Sequence, residues 1–263
     1  MKKLALVLGG GAAKGYAHIG VLKAFEKHGI VPDLIVGTSM GALVGGMYAS
    51  GKKVAELEHL AKNFNSMGSF SLISTLFKDN ILNINKVKKI LDKELGTLTH
   101  EDCKTKFVAV ATEVEKGVEH RFTSGLLKDS ILASISIPGV FPRVKINGEV
   151  FVDGGLVNNL PEDVARELMP DALVVSIDVI GEYSKQLERC KMKTLEAILN
   201  AMTLMTTNVV KSKPQDADIR LSMTLSTVSQ LDFRSETTEK SIKKGEIFTK
   251  KHISKILEML KED

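Results

Sequence analysis

The chain has 263 residues, 43% apolar, 26% charged and 5% aromatic, with 36 basic and 32 acidic side chains and a net charge of +4. Those proportions exclude bulk disorder, collagen and a disulfide scaffold, and a chain of this length buries ample core without staples. The absence of Trp and the small positive excess argue against a nucleic-acid surface, while the charge excess suits contact with an anionic membrane.

Leu4 to Leu8 is a continuous apolar run ending in Gly9, Gly10 and Gly11, the pattern of a buried parallel strand. Ile19, Val21, Leu22 and Phe25 follow at helical spacing, and Gly29 ends that helix. Pro32 and Asp33 turn the chain into a second buried strand, Leu34 to Val36, which stops at Gly37. Met40 to Ala49 is a helix with small or apolar residues on nearly all sides, hence buried. Residues 53–63 and 84–95 read as amphipathic helices. Phe107 to Thr112 is a strand, and Val118 to Phe122 pairs with it across a turn at Glu115 to Gly117. Leu126 to Ile135 is a short helix stopped by Pro138 and Gly139. Lys145 to Val152 is a hairpin about Asn147 and Gly148, a favoured type I′ turn. A helix from Pro161 to Met169, a strand from Ala172 to Val179 and a long helix over about 191–212 follow. Ile219 to Leu225 is the last strand, and about 236–261 the last helix. Alternating strands and helices with short links predict a parallel α/β sheet. With no repeat and no interdomain linker, residues 1–263 are expected to form one domain, about 181–263 closing the same fold.

Cys103 and Cys190 lie far apart with no C-x-x-C, which points to a reduced, cytosolic setting and leaves a single disulfide open. Met1, Lys2 and Lys3 imitate the charged start of a signal peptide. The apolar run behind them is five residues long, short of the roughly 7–15 that such a signal needs. No stretch approaches the ~18 apolar residues of a spanning helix. A cytoplasmic protein is expected, with any membrane contact peripheral.

Three segments carry chemistry. Gly37-Thr38-Ser39-Met40-Gly41 matches G-x-S-x-G between a buried strand and a helix, the setting of a nucleophile elbow. The serine must sit on a sharp turn, the flanking glycines let strand and helix close around it, and the helix N-terminus favours developing negative charge. Gly9 to Gly15 also follows a strand and opens a helix, so its amides form an anion-binding nest. Nucleotide phosphate binding and an oxyanion hole both fit such a nest. Walker A fails because Gly15 follows Lys14, and G-x-G-x-x-G fits poorly in either frame. Asp153, Gly154 and Gly155 end an apolar strand, either as an ordinary Asp-Gly turn or as the seat of a base. A serine hydrolase normally draws on histidine. His18 and His28 sit on the first helix, His252 on the last, and His59 and His100 in polar helical or loop surroundings. His120, in a strand, is the one fair candidate, and surface or packing roles fit all six better. Ser39 is left with a carboxylate. No H-x-x-x-H pair and no Cys/His cluster appears, so neither metal nor cofactor is expected.

The three motifs, in this order, resemble those of bacterial patatin-like phospholipases. Gly10 to Gly15 matches the family's G-G-G-x-[RK]-G loop, Gly37 to Gly41 its nucleophile motif, and Asp153 to Gly155 its D-G-[GA] motif. Ala17 to Leu22, Ser136 to Pro142 and Asn158 to Pro161 look similar too, so the resemblance covers about residues 4–180. It implies a three-layer patatin-like α/β fold, a central mostly parallel sheet flanked by helices. It also implies a Ser39–Asp153 catalytic dyad, and an oxyanion hole built from the Gly10, Gly11 and Ala12 amides. Gly9, Lys14, Gly15, Gly37, Met40, Gly41, Gly154 and Gly155 would support these. Ala12 departs from the pattern, standing where the family has its third glycine, so it serves only where its backbone tolerates a Cβ. Lys14 either braces the loop or meets a phosphate head group.

The implied activity is hydrolysis of lipid carboxylic esters, of phospholipase A, lysophospholipase or esterase type, through an acyl-enzyme. A non-catalytic lipid-binding module and an acyltransferase remain as alternatives. Ser66 to Leu82, with Phe70, Leu72, Ile73, Leu76 and Phe77, is either a lid that meets lipid or a small helix closing the core. Lys86, Lys88 and Lys89 lie just beyond, within reach of anionic head groups. Leu195, Ile198, Leu199, Met202, Met205 and Val209 form a stripe suited to the core or to an acyl channel.

Overall fold

The structure is a computed structural model that describes residues 2–66, 84–181, 194–225, 228 and 232–262. The predicted lid at Ser66 to Leu82 falls outside these beyond Ser66, as do 191–193 of the predicted long helix.

The first half of the chain comprises β1 (Leu4–Leu8), α1 (Ala17–Lys27), β2 (Leu34–Thr38), α2 (Met40–Ala49), α3 (Val54–Ser66), α4 (Ile84–Leu95), β3 (Lys106–Glu113) and β4 (Val118–Phe122). Then come α5 (Leu127–Ser134), β5 (Val144–Ile146), β6 (Glu149–Asp153), α6 (Glu162–Leu168) and β7 (Leu173–Asp178). The last elements are α7 (Thr194–Ser212), β8 (Ile219–Ser222), α8 (Ser235–Lys250) and α9 (Ile253–Lys261). Among the described residues the strands form one eight-stranded sheet in the order β5-β6-β3-β2-β1-β7-β8, with β4 also paired to β3. The run β3-β2-β1-β7-β8 is parallel, and β4, β5 and β6 pair antiparallel.

Helices cover both faces of the sheet, which is why β1 reads as an unbroken apolar run. Leu4, Leu6 and Leu8 join the core formed with Leu22, Phe25, Ala42 and Ile242 of α1, α2 and α8. Ala5 and Val7 join the opposite core, with Val164 and Ala165 of α6.

One feature of the topology places the site. β2 runs parallel along β3 until Thr38 stands opposite Val110, and β6 runs antiparallel along β3 until Asp153 stands opposite Ala111. β4 pairs with both Val110 and Ala111, occupying the other edge of β3. The C-terminal ends of β2 and β6 therefore meet head to head on one edge of β3.

The predicted hairpin is present, with Asn147 at φ 51° and Gly148 at φ 92°, as a type I′ turn requires. The predicted last strand is shorter than expected, because its ladder ends where Ser222 meets Asp178, the last residue of β7. The predicted single helix at 236–261 is two. The Phe248 carbonyl accepts the Lys251 amide (3.3 Å) and faces His252 Nδ1 (3.0 Å), while the His252 amide donates to Thr249 O (2.9 Å). These contacts interrupt the i→i−4 ladder without Gly or Pro.

Candidate active site

Ser39 links β2 to α2 with φ 54° and ψ −124°, a conformation that L residues rarely adopt. The turn holds because its neighbours leave no room for another path. A Cβ at Gly41 would collide with the Leu8 carbonyl oxygen, and one at Gly37 would stand 2.6 Å from the Gly41 carbonyl oxygen. Both glycines of the motif are thus demanded by backbone approach.

Ser39 Oγ donates to Asp153 Oδ2 at 2.6 Å. The other carboxylate oxygen, Oδ1, accepts the Gly155 amide at 2.8 Å, and the Thr112 hydroxyl donates to the Asp153 carbonyl at 2.8 Å. Serine and aspartate are almost wholly buried. Burial pushes the Asp153 carboxyl up to about 6, with the hydrogen bonds from Ser39 and Gly155 opposing the rise.

The glycine-rich loop between β1 and α1 is tied at four points, one of them the Asn159 Nδ2 donating to Gly10 O at 3.4 Å. The Gly9 amide donates to Ile177 O (3.1 Å) and the Gly10 amide to Asn159 O (3.0 Å). His18 Nε2 lies 2.8 Å from Gly9 O. A carbonyl only accepts, so Nε2 carries the proton. Full burial lowers the His18 pKa to about 4, so the ring is neutral at physiological pH. The Gly10 amide, expected from the family pattern to donate to an oxyanion, is engaged elsewhere. Among the described residues no acceptor meets the Gly11 and Ala12 amides. These two residues line a cavity of about 60 Å³ together with Ser39, Asp153, Asn159 and Met202. Ala12 has φ 47°, in the left-handed region that favours glycine, at roughly 1–2 kcal/mol of strain. Lys14 is half-buried and makes no ion pair among the described residues. Burial lowers its pKa, and the charge of Asp178 opposes that.

None of the described histidine contacts reaches Ser39 or Asp153. His120 packs its ring against Phe122 and Phe151, at 4.4 and 4.8 Å between centroids. His100 does meet a serine, Ser130 Oγ at 2.8 Å, but that serine donates to Leu127 O and both are buried away from the cavity. The sequence reading grouped His18 with surface and packing residues, whereas it pins the glycine loop. It also assigned no role to Asn159 or Ser134. Asn158 and Asn159 clamp both loops through their carbonyls, which accept the Thr38 hydroxyl (2.9 Å) and the Gly10 amide. The signal available for His18 and Asn159 was their place in the segments that flank the motifs.

The chain matches the family model described as patatin-like phospholipase over residues 6–166. An uncharacterised NTE family protein of Mycobacterium tuberculosis is 36% identical over 160 residues, 60% of this chain and 44% of that protein. Lysophospholipase nte1 of Neurospora crassa is 33% identical over 182 residues, 68% of this chain and 12% of that protein. The chain thus spans less than half the length of these curated relatives. Among solved structures, VipD of Legionella pneumophila has a similar fold, with TM-score 0.53 and 16% identity over 97% of this chain and 67% of that one. The family match takes in all three motifs and more than half of the residues, and the chain belongs to the patatin-like phospholipase family.

Proposed function

We propose that the chain is a serine hydrolase of lipid carboxylic esters, acting through a Ser39–Asp153 dyad. The observation that carries this reading is the 2.6 Å contact from Ser39 Oγ to Asp153 Oδ2 beside two open amides. The printed name of the Neurospora relative, a lysophospholipase, supports a lipid ester as substrate.

Ser39 Oγ attacks the ester carbonyl carbon as its proton passes to Asp153 Oδ2. The tetrahedral oxyanion accepts from the Gly11 and Ala12 amides, each such donor being worth about 10²–10³ in turnover. The alcohol C–O bond then breaks, and the proton on Asp153 goes to the leaving oxygen. Water gives a proton to the same carboxylate and attacks acyl-Ser39, and collapse returns Ser39 with its proton. Gly154, Gly155 and Thr112 hold the base, while Gly9, Gly15, His18 and Asn159 hold the loop. Lys14 is the basic residue closest in sequence to the donors.

The same proposal takes residues 1–263 as one unit. Its support is that β8 pairs with β7 and that α8 packs on α1. No helix among the described residues is long and apolar enough to cross a membrane. A cytoplasmic enzyme that meets its lipid from the water side, helped by a net charge of +4, fits this. A fluorophosphonate probe is expected to label the wild-type chain and not Ser39→Ala, and wild type alone to turn over a short p-nitrophenyl ester before a lipid panel is tried. Equal labelling of both proteins would remove Ser39 as the nucleophile. Labelling of wild type without turnover of any ester or lipid would favour a non-catalytic lipid-binding role.

A further inference from the structure

We infer that Ser134 is a positioning residue for the Ser39 nucleophile, within a short segment that braces both members of the dyad. The inference rests on the dyad reading above. Ser134 ends α5 and is fully buried. Its Oγ donates to the Val110 carbonyl on β3 at 2.6 Å and accepts the Ser39 amide at 2.9 Å. The direction is unambiguous. The Val110 carbonyl can only accept, so it takes the one hydroxyl proton, and the lone pairs are left for the Ser39 N–H.

The Ser39 amide needs this acceptor. The β2–β3 register ends one residue earlier, at Thr38 opposite Val110. The turn at φ 54° carries the Ser39 N–H out of line with the sheet, and no other partner meets it among the described residues. A rarely populated backbone conformation persists only where its surroundings over-determine it. Two residues beyond Ser134, the Ser136 carbonyl accepts the Asp153 amide at 2.9 Å. The Ser136 hydroxyl is itself anchored on Leu132 O at 2.7 Å. Residues 134–136 thus hold the backbone at both strand ends that meet on β3. The contact between the two side chains spans that gap, and its geometry depends on how the ends are held.

Ser130, one turn earlier on α5, supplies the control. It is just as buried, and its hydroxyl is bound to Leu127 O and His100, not to the dyad. Steady-state kinetics on a p-nitrophenyl ester and thermal midpoints of the full chain would be compared for wild type, Ser134→Ala, Ser134→Cys, Ser130→Ala and Ser39→Ala. Ser134→Ala is expected to lose about 10- to 100-fold in kcat with KM within about twofold, the scale set by a small misplacement of a reacting group. Ser130→Ala is expected to lose thermal stability with kcat within about twofold of wild type. Ser134→Cys leaves no void but puts a larger, weakly accepting sulfur in place of the hydroxyl, so it is expected to fold and still lose kcat. The inference is overturned if both Ser134 variants keep wild-type kcat, or if Ser130→Ala loses as much kcat as Ser134→Ala. It also stands on Ser134→Cys alone should Ser134→Ala fail to fold. Full activity in Ser39→Ala would instead overturn the dyad, and the brace with it.

Discussion

Asp153 is an ionisable group placed where water barely reaches, with one hydroxyl and one amide to stabilise its charge. Its carboxyl is raised from 3.8 to about 6, and two consequences of opposite kind follow. Turnover needs the ionised base, so log(kcat/KM) is expected to climb as pH rises to about 6 and to level above it. A profile flat from about pH 4 to 8 would remove Asp153 as the base. For stability the sign is reversed. The folded state holds this proton more tightly than the unfolded chain, so the stabilisation it brings is full below the ordinary carboxyl pKa and is lost as pH rises through about 6. Asp153→Asn is therefore expected to abolish turnover yet gain up to about 3 kcal/mol in urea unfolding at about pH 7.5, with no gain at about pH 4. At this scale the Ser39–Asp153 pairing, which the proposed mechanism uses, was legible, since each residue ends an apolar strand beside glycines that permit close approach. His18 was not. Its partner is the Gly9 carbonyl, and only the fold of the loop shows that the ring points there.

At the scale of elements, the loop that carries the open amides is backed by a helix from the far end of the chain. α1 and α8 cross with their backbones in contact. A Cβ at Gly20 would collide with Ile242 O, and one at Gly245 would collide with Ala17 O. Ala17 opens α1, one residue before His18 and two after Gly15. Gly245→Val is expected to cost about 1–3 kcal/mol in urea unfolding and to lower ester turnover at temperatures where the protein stays folded. Ile247→Thr, on the exposed side of the same helix, is expected to change neither measurably. Unchanged turnover in folded Gly245→Val would separate α8 from the loop. The sequence placed a helix here, but it showed nothing of the crossing. It also missed the break at His252, because a ladder diverted by side-chain and 3₁₀-type bonds leaves no Gly or Pro behind.

For the molecule as a whole, β8 extends the same sheet beyond β7, and a partly buried ion pair fastens it. Glu162, on α6, accepts Arg220 Nε at 2.7 Å and Nη2 at 2.5 Å from β8, and also the Ser176 hydroxyl of β7. Its Oε2 further accepts the Asp216 and Ala217 amides at 3.1 and 3.3 Å. Removing one partner strands the other charge, so Arg220→Met is expected to destabilise by about 3 kcal/mol in denaturant unfolding. Adding Glu162→Gln is expected to recover part of that loss. A double variant no more stable than Arg220→Met would mean the pair is not what fastens β8. What the sequence by itself determined is what local chemistry dictates: buried strands where both faces are covered, and sharp turns where glycines flank a serine or follow an aspartate, which pointed to Ser39 and Asp153 as candidates. The tertiary structure alone decided how these parts meet. Strand order on β3, the hydroxyl of Ser134, the ring of His18 and the acceptor that takes the Gly10 amide are contacts between residues distant in sequence. No local propensity encodes such contacts, because they form only when the chain has closed on itself.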